Sequence, residues 1–138
     1  MKSRKEANWL SGKWNKPNPP IGYEWAYTKF KHFEFKHLEK SKDALQVQIL
    51  FENVELGQIL SIKEATKELK NRLPNHVITK QRVLNILKES AYCGYLKVPE
   101  EIQLKGYDGD YVKASHKAII DRFQFDIVQE ILTGSAWK

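Results

Sequence analysis

One cysteine stands in the whole sequence, and Cys93 alone can form neither an internal disulfide nor a cysteine-based zinc site. No apolar run approaches the ~18 residues of a membrane span. The opening residues, "MKSRKEANWLSGKW", lack the apolar segment of a secretory signal. Glycine is sparse, and neither a Gly-rich phosphate loop nor G-x-S-x-G occurs; "GYDGD" reads as a turn. His32, His37, His76 and His116 are dispersed, without the i, i+4 pairing of a metal-binding helix. Cys93 reads as a small buried hydrophobe. These gaps leave an intracellular protein with no visible catalytic, metal or cofactor site. What is present is enough for a core. Hydrophobic residues make up 41% and aromatics 12% of 138 residues, one domain's worth of chain and too apolar for wholesale disorder.

The net charge of +6 is unevenly spread. Residues 1–16 carry +4, residues 29–42 carry +3 and residues 61–88 carry +5, whereas 43–60 carry −3 and 89–138 carry −2. Basic charge is therefore blocked onto an N-terminal arm, an aromatic stretch and the middle of the chain, the footprint expected of a polyanion partner. The bland reading is that these lysines solubilise helix surfaces.

Residues 2–11 read as the last turns of a helix stopped by Gly12. "KWNKPNPPIGY" is too rich in proline for helix or central strand and reads as an extended connector. In "YEWAYTKFKHFEFKHL", Trp25 and Tyr27 alternate, as do Phe33 and Phe35, predicting two short strands around Thr28–Lys29 with these aromatics in the core. From Ser41 the period changes. Ala44, Val47, Leu50, Phe51 and Val54 follow helical spacing up to Gly57. Ser61 with Glu64 has the form of a capping box; Ile62, Ala65, Leu69 and Leu73 make the next buried stripe, and Pro74 ends it. "YCGYLKV" and "GDYVKASHKAII" look extended, with a tight turn at Asp108–Gly109. Asp121 with Gln124 opens a last helix whose apolar face is Phe125, Val128, Ile131 and Leu132, closed by Gly134. The expected class is α+β, mainly helical: one domain with a helix-turn-helix-like core and short antiparallel strands.

The stretch "ITKQRVLNILKESAYCGYL" carries the functional signal. A helix capped by Thr79 places Ile86 and Leu87 within about 60° of Val83. Gln81, Arg82, Asn85 and Lys88 then share the opposite sector. Gln and Asn suit adenine edges in the major groove, and Arg and Lys suit guanine or phosphate. The preceding helix, with Lys63, Lys67, Lys70 and Arg72, is placed to cross the backbone, the division of labour of a helix-turn-helix. Many helical hairpins have a polar outer face without reading anything, so the arm matters. Arg4, Lys5, Lys13, Asn15 and Lys16 lead into the proline-rich stretch, as a basic arm does that lies in a minor groove.

At this point the sequence resembles the recombinase domain of large serine recombinases, the serine integrases and transposon resolvases. "NKPNPPIGYEW" resembles the start of that domain, and "DALQVQILFENVELGQILSIKEATKELKN" its helix, glycine turn and helix. "ITKQRVLNILKESAYCGYL" is similar to its recognition helix and the aromatic-x-Gly strand that follows, and "SHKAIIDRFQFDIVQEIL" to its later helix. Four motifs in order span about residues 12–132; the stretch before the recognition helix, "PNHVITKQ", is shorter than relatives often have. The resemblance implies double-stranded DNA as partner, with Gln81, Arg82, Asn85 and Lys88 in the major groove and Thr79 and Lys80 near phosphates. Residues 1–16 would be the end of a linker helix and a basic arm, and 17–138 the DNA-binding domain. It further implies a bacterial, nucleoid-associated setting and partner subunits engaged through other domains. In that family a separate domain carries the serine that forms a phosphoserine link to DNA. None of Ser3, Ser11, Ser41, Ser61, Ser90, Ser115 or Ser135 is expected in that role, so this chain is expected to bind DNA and not cut it.

Two other classes stay open on the residues themselves. A protein-interaction module would expose the aromatics around Trp25, Phe33 and Phe35 as a patch. A small enzyme would need a pocket joining Cys93 or His116 to a second polar group.

Overall fold

The computed structural model describes residues 12–98 and 110–138. The helix end expected at 2–11, Arg4, Lys5 and the turn at Asp108–Gly109 lie outside those residues. The described chain runs as strands β1 (Tyr23–Phe30) and β2 (Phe33–Lys40), helices α1 (Ala44–Glu55), α2 (Ile62–Arg72) and α3 (Lys80–Lys88), strands β3 (Tyr95–Lys97) and β4 (Tyr111–Lys113), and helix α4 (Arg122–Ile131). Each strand pair forms its own antiparallel ribbon. The mixed, mainly helical class is as expected.

Periodicity decides the helical core. Val47, Leu50, Phe51 and Val54 of α1 are buried against α2 and α4, and α3 packs on α2 through Val83, Ile86 and Leu87. Three helix starts are satisfied by side chains the sequence announces: Ser61 Oγ accepts from Glu64 N at 3.2 Å, Thr79 Oγ1 from Arg82 N at 3.1 Å and Asp121 Oδ1 from Gln124 N at 2.7 Å. Each such cap is worth about 1 kcal/mol. Glu64 turns back to accept from Leu60 N at 2.8 Å, which fixes how the chain enters α2.

Tyr92 joins the helices to the rest. Its ring lies 5.7 Å from Phe51 and 5.9 Å from Tyr23, centroid to centroid. Its hydroxyl donates to the Ile21 carbonyl at 2.6 Å, while the Tyr23 hydroxyl donates to Lys117 O at 2.6 Å. Burial pushes both phenols well above the usual tyrosine range, so both remain donors. The proline-rich connector is thereby tied to the core from below.

Three expectations are corrected. The first ribbon is longer than expected, and its turn lies at Lys31–His32, because Lys31 itself takes the left-handed conformation (φ 57°). Thr28, placed at the turn by the sequence reading, instead pairs with Phe35 within the ladder. Second, the aromatics divide: Tyr23 is buried and Trp25 half-buried, but Tyr27, Phe30, Phe33 and Phe35 are exposed, since the ribbon runs past the edge of the core. Third, Tyr92 and Cys93 are not extended. They belong to a 3-10 turn (Ser90–Cys93) closed by Gly94 at φ 85°, and β3 begins only at Tyr95. Among the described residues of the facing stretch, Tyr111–Lys113 forms the ladder, while Ile119 N and Ile120 N both donate to Tyr92 O.

Candidate nucleic-acid interface

Helix α3 is short and two-faced, with Leu84 half-buried between the faces. Val83, Ile86 and Leu87 are buried, while Lys80, Gln81, Arg82, Asn85 and Lys88 are exposed, as is the capping Thr79. The outward face is partly preassembled. Gln81 Nε2 donates to Asn85 Oδ1 at 2.9 Å, leaving the Gln81 carbonyl and the Asn85 amide nitrogen for an outside partner. Arg82 donates through Nη1 to Val77 O at 2.9 Å, which lays its guanidinium back over the start of the helix. A fork with five donors keeps most of them for another ligand.

On α2, Lys63, Lys67 and Lys70 are exposed. Arg72 differs from them: its Nε donates to Glu68 at 3.0 Å and its Nη1 to Gln46 at 3.3 Å, so its charge is committed within the protein. His76 pairs with Asp43 at 3.0 Å, tethering the α2–α3 turn to the start of α1.

The arm and α3 meet at Trp14. A shallow cleft of about 200 Å³ is walled by Trp14, Pro19, Pro20, Arg82 and Asn85. Beside it, a second cleft of about 290 Å³ brings Lys16 together with Lys88, Lys97 and Tyr111. Trp14 also bounds a third cleft of about 490 Å³, with Lys13, Trp25 and Lys36. The connector is braced between these walls: Trp14 Nε1 donates to Asn18 O at 2.8 Å and Trp25 Nε1 to Pro17 O at 3.2 Å. Two lysines sit over indole rings, Lys16 at 5.2 Å from the Trp14 centroid and Lys36 at 3.9 Å from that of Trp25. Glu89 lies at the floor; burial raises its carboxyl pKa, and nearby Lys16 offsets part of that.

Of the residues singled out from sequence, Lys16, Arg82, Asn85 and Lys88 thus line adjoining clefts, with Gln81 joined to Asn85. Thr79 and Lys80 stand at the helix start. Lys13 lies on the far side of Trp14, toward the ribbon, and Asn15 is half-buried between Trp14 and Lys16 in the chain. Sequence reasoning passed over Trp14, Lys36 and Lys97. A signal existed for Lys36, which lies in the +3 stretch between Phe35 and His37.

The other polar groups have structural work. Ser61 caps α2, Ser41 Oγ accepts from Asp43 N at 3.2 Å, and Ser115 Oγ donates to Gly12 O at 3.2 Å. His116 Nε2 donates to Ala91 O at 2.8 Å. Among the described residues no group of three or more His, Cys, Asp or Glu is placed to hold a metal ion, and no helix is long and apolar enough to cross a membrane.

A helical hairpin with a buried stripe, capped helices and a polar outward face makes a helix-turn-helix-like core on an α+β frame. The chain belongs to the Recombinase family, whose model matches residues 41–135. It is similar to a structure solved in work on the sequence requirements of the Listeria innocua prophage attP site, with 27% identity and a TM-score of 0.67 over 92% of this chain and 48% of that one. It is also similar to the protein in a crystal structure of an LSR–DNA complex, with 27% identity and a TM-score of 0.65 over 94% of this chain and 36% of that one. The chain therefore spans about half or less of the length of these relatives. No curated protein sequence matches it. The resemblance to the recombinase domain of large serine recombinases, read from four motifs, is borne out.

Proposed function

We propose that this chain binds double-stranded DNA as the recombinase domain of a large serine recombinase, reading sequence through α3. The observation that carries this reading is the outward face of α3, where Gln81, Arg82, Asn85 and Lys88 are all exposed above a fully buried stripe. A helix so divided fits the major groove, and amide and guanidinium groups are the side chains that read base edges. Gln81 and Asn85 act as a joined pair toward the bases and Arg82 toward guanine or phosphate. Thr79 and Lys80 approach phosphates near the helix start, and Lys88 follows the backbone at the far end. Lys13, Asn15 and Lys16, with Arg4 and Lys5 preceding them, track the neighbouring minor groove. The LSR relative was solved with DNA, which supports the assignment. Strand cleavage and subunit assembly belong, on this reading, to other domains of a longer recombinase, so the chain itself binds without cutting.

Selection from a random-sequence duplex library, followed by anisotropy across a salt series, tests this. An enriched motif is expected, with log affinity falling at about −0.9 per phosphate contact. Asn85→Ala or Arg82→Ala should flatten the sequence preference, since a bidentate base contact discriminates by about 1–3 kcal/mol. Lys13→Ala should weaken all sequences alike and make the slope shallower by about 1. Equal effects of both kinds of variant on selected and random DNA would refute the division of roles.

A second reading has one observation in its favour. Phe30, Phe33 and Phe35 are exposed together near the tip of the first ribbon, a patch suited to a protein partner. Salt-insensitive binding to a protein, with no response to duplex DNA, would favour it.

A further inference from the structure

We infer that the β1–β2 ribbon is a second DNA contact, its lysine-bearing face carrying the phosphate backbone outward from the site that α3 reads. The inference deepens the DNA-binding reading and rests on it.

Strand register sorts the ribbon into two faces. Trp25 pairs with Leu38, Tyr27 with Lys36 and Lys29 with Glu34 on one; Thr28 pairs with Phe35 and Phe30 with Phe33 on the other. The three phenylalanines thus share a face, and Lys29, Lys36 and Lys40 share the opposite one with Trp25. That second face, with Phe35 and His37 of the other face at its edge, borders the cleft of about 490 Å³ that it shares with Lys13 and Trp14. The cleft continues past His37 and Leu38 into another of about 490 Å³ flanked by Lys40 and Lys117. Trp14 walls both the first of these and the Arg82–Asn85 cleft, so the α3 cleft and the ribbon cleft adjoin on the two sides of its ring.

The chemistry favours phosphate. Lys36 is held over an indole and, among the described residues, pairs with no carboxylate, so its donors face outward for a further anion. Lys40 and Lys117 are exposed. Glu34 and Glu39 also line these clefts, which leaves lysine in excess. The ribbon is braced, too, since Trp25 donates to Pro17 O in the connector that passes α3. At about 3.3 Å per residue, an eight-residue strand reaches roughly 25 Å, most of a duplex turn.

The experiment compares the parent chain, a Lys36→Gln/Lys40→Gln/Lys117→Gln variant, the matching Lys→Arg variant and Arg82→Ala/Asn85→Ala on the selected duplex. Salt-dependent anisotropy and hydroxyl-radical footprinting are the readouts. With the glutamines, the slope should become shallower by about two to three, at ~0.9 for each phosphate no longer neutralised. Protection should shrink on one flank and the selected motif should persist. Arginine should restore the slope, whereas a variant that had merely unfolded would lose the motif as well. An unchanged slope and footprint in the glutamine variant, while Arg82→Ala/Asn85→Ala abolishes the motif, would place the ribbon off the DNA and leave the α3 reading intact; its phenylalanine face would then be a surface for a protein. Absence of salt-dependent binding by the parent would overturn both.

Discussion

Replacing Tyr92 by Phe removes one oxygen from the centre of the molecule and nothing else. The ring is 1% exposed, and its hydroxyl donates to Ile21 O at 2.6 Å. Ring volume is conserved, so no cavity cost enters. A net hydrogen bond contributes about 0.5–1.5 kcal/mol, and a buried carbonyl left unpaired raises the loss toward 1–3 kcal/mol. Ile21 is only half-buried, so water can reach its carbonyl in part, and we expect a loss of about 1–2 kcal/mol, or ~3–8 °C in Tm. Urea denaturation should show a lower midpoint with an unchanged m value. The pH dependence is a second check. Burial raises the Tyr92 and Tyr23 pKa above the unfolded value of about 10, so their contribution is complete below pH 10 and declines as pH rises beyond it. A Tyr92→Phe/Tyr23→Phe variant should therefore lose stability less steeply above pH 10 than the parent. A Tyr92→Phe midpoint equal to the parent's, or an alkaline slope unaltered in the double variant, would refute this account of the connector's anchorage.

Further outcomes follow from single positions. Gly12 (φ 77°) and Gly57 (φ 73°) are both left-handed, but a Cβ on Gly12 would run into the Lys113 carbonyl oxygen while one on Gly57 meets open space. Gly57→Ala should cost about 1–2 kcal/mol from backbone strain alone and Gly12→Ala clearly more; equal denaturation midpoints would contradict this. Cys93 donates to Ser90 O at 3.1 Å, and burial pushes its thiol up to about 11, so alkylation at pH 8 should be slow in the native protein and fast in denaturant. Rapid native labelling would be inconsistent with that. His116 has its pKa lowered by burial beneath Tyr23, so it disfavours the folded state progressively as pH falls below the unfolded value of about 6.5. Glu89, raised by burial, has the opposite sign above its ordinary value, so an NMR titration of the His116 ring, not a melting curve, isolates the effect; a midpoint at or above 6.5 would count against it.

The helical part was legible because its signals are local. Val83, Ile86 and Leu87 are spaced by the helix period itself, and Ser61, Thr79 and Asp121 reach only to the amide three residues on. The polar face of α3 could be read for the same reason. The ribbon could not, since nothing in the alternation of Trp25, Tyr27, Phe33 and Phe35 says how far the strands run past the core. Its turn, at Lys31, lacks the glycine or asparagine that normally marks the left-handed position. The clefts were hidden more deeply: Trp14 meets Arg82 and Asn85, then Lys36, across long sequence separations that only the tertiary packing of the connector brings together.

The hydrogen bond between Gln81 and Asn85 also bears on how such a domain changes its target over generations. If the pair reads bases as proposed above, two side chains that fix each other's orientation would change as a single unit. Changing either one alone would free the other to reorient, so the intermediate would recognise the old sequence poorly without having gained a new one. On that reading, drift toward a new target sequence would proceed by paired substitutions on one turn of α3, and neighbouring specificities would be separated by gaps. Libraries that vary positions 81 and 85 together should reach targets closed to libraries that vary them singly.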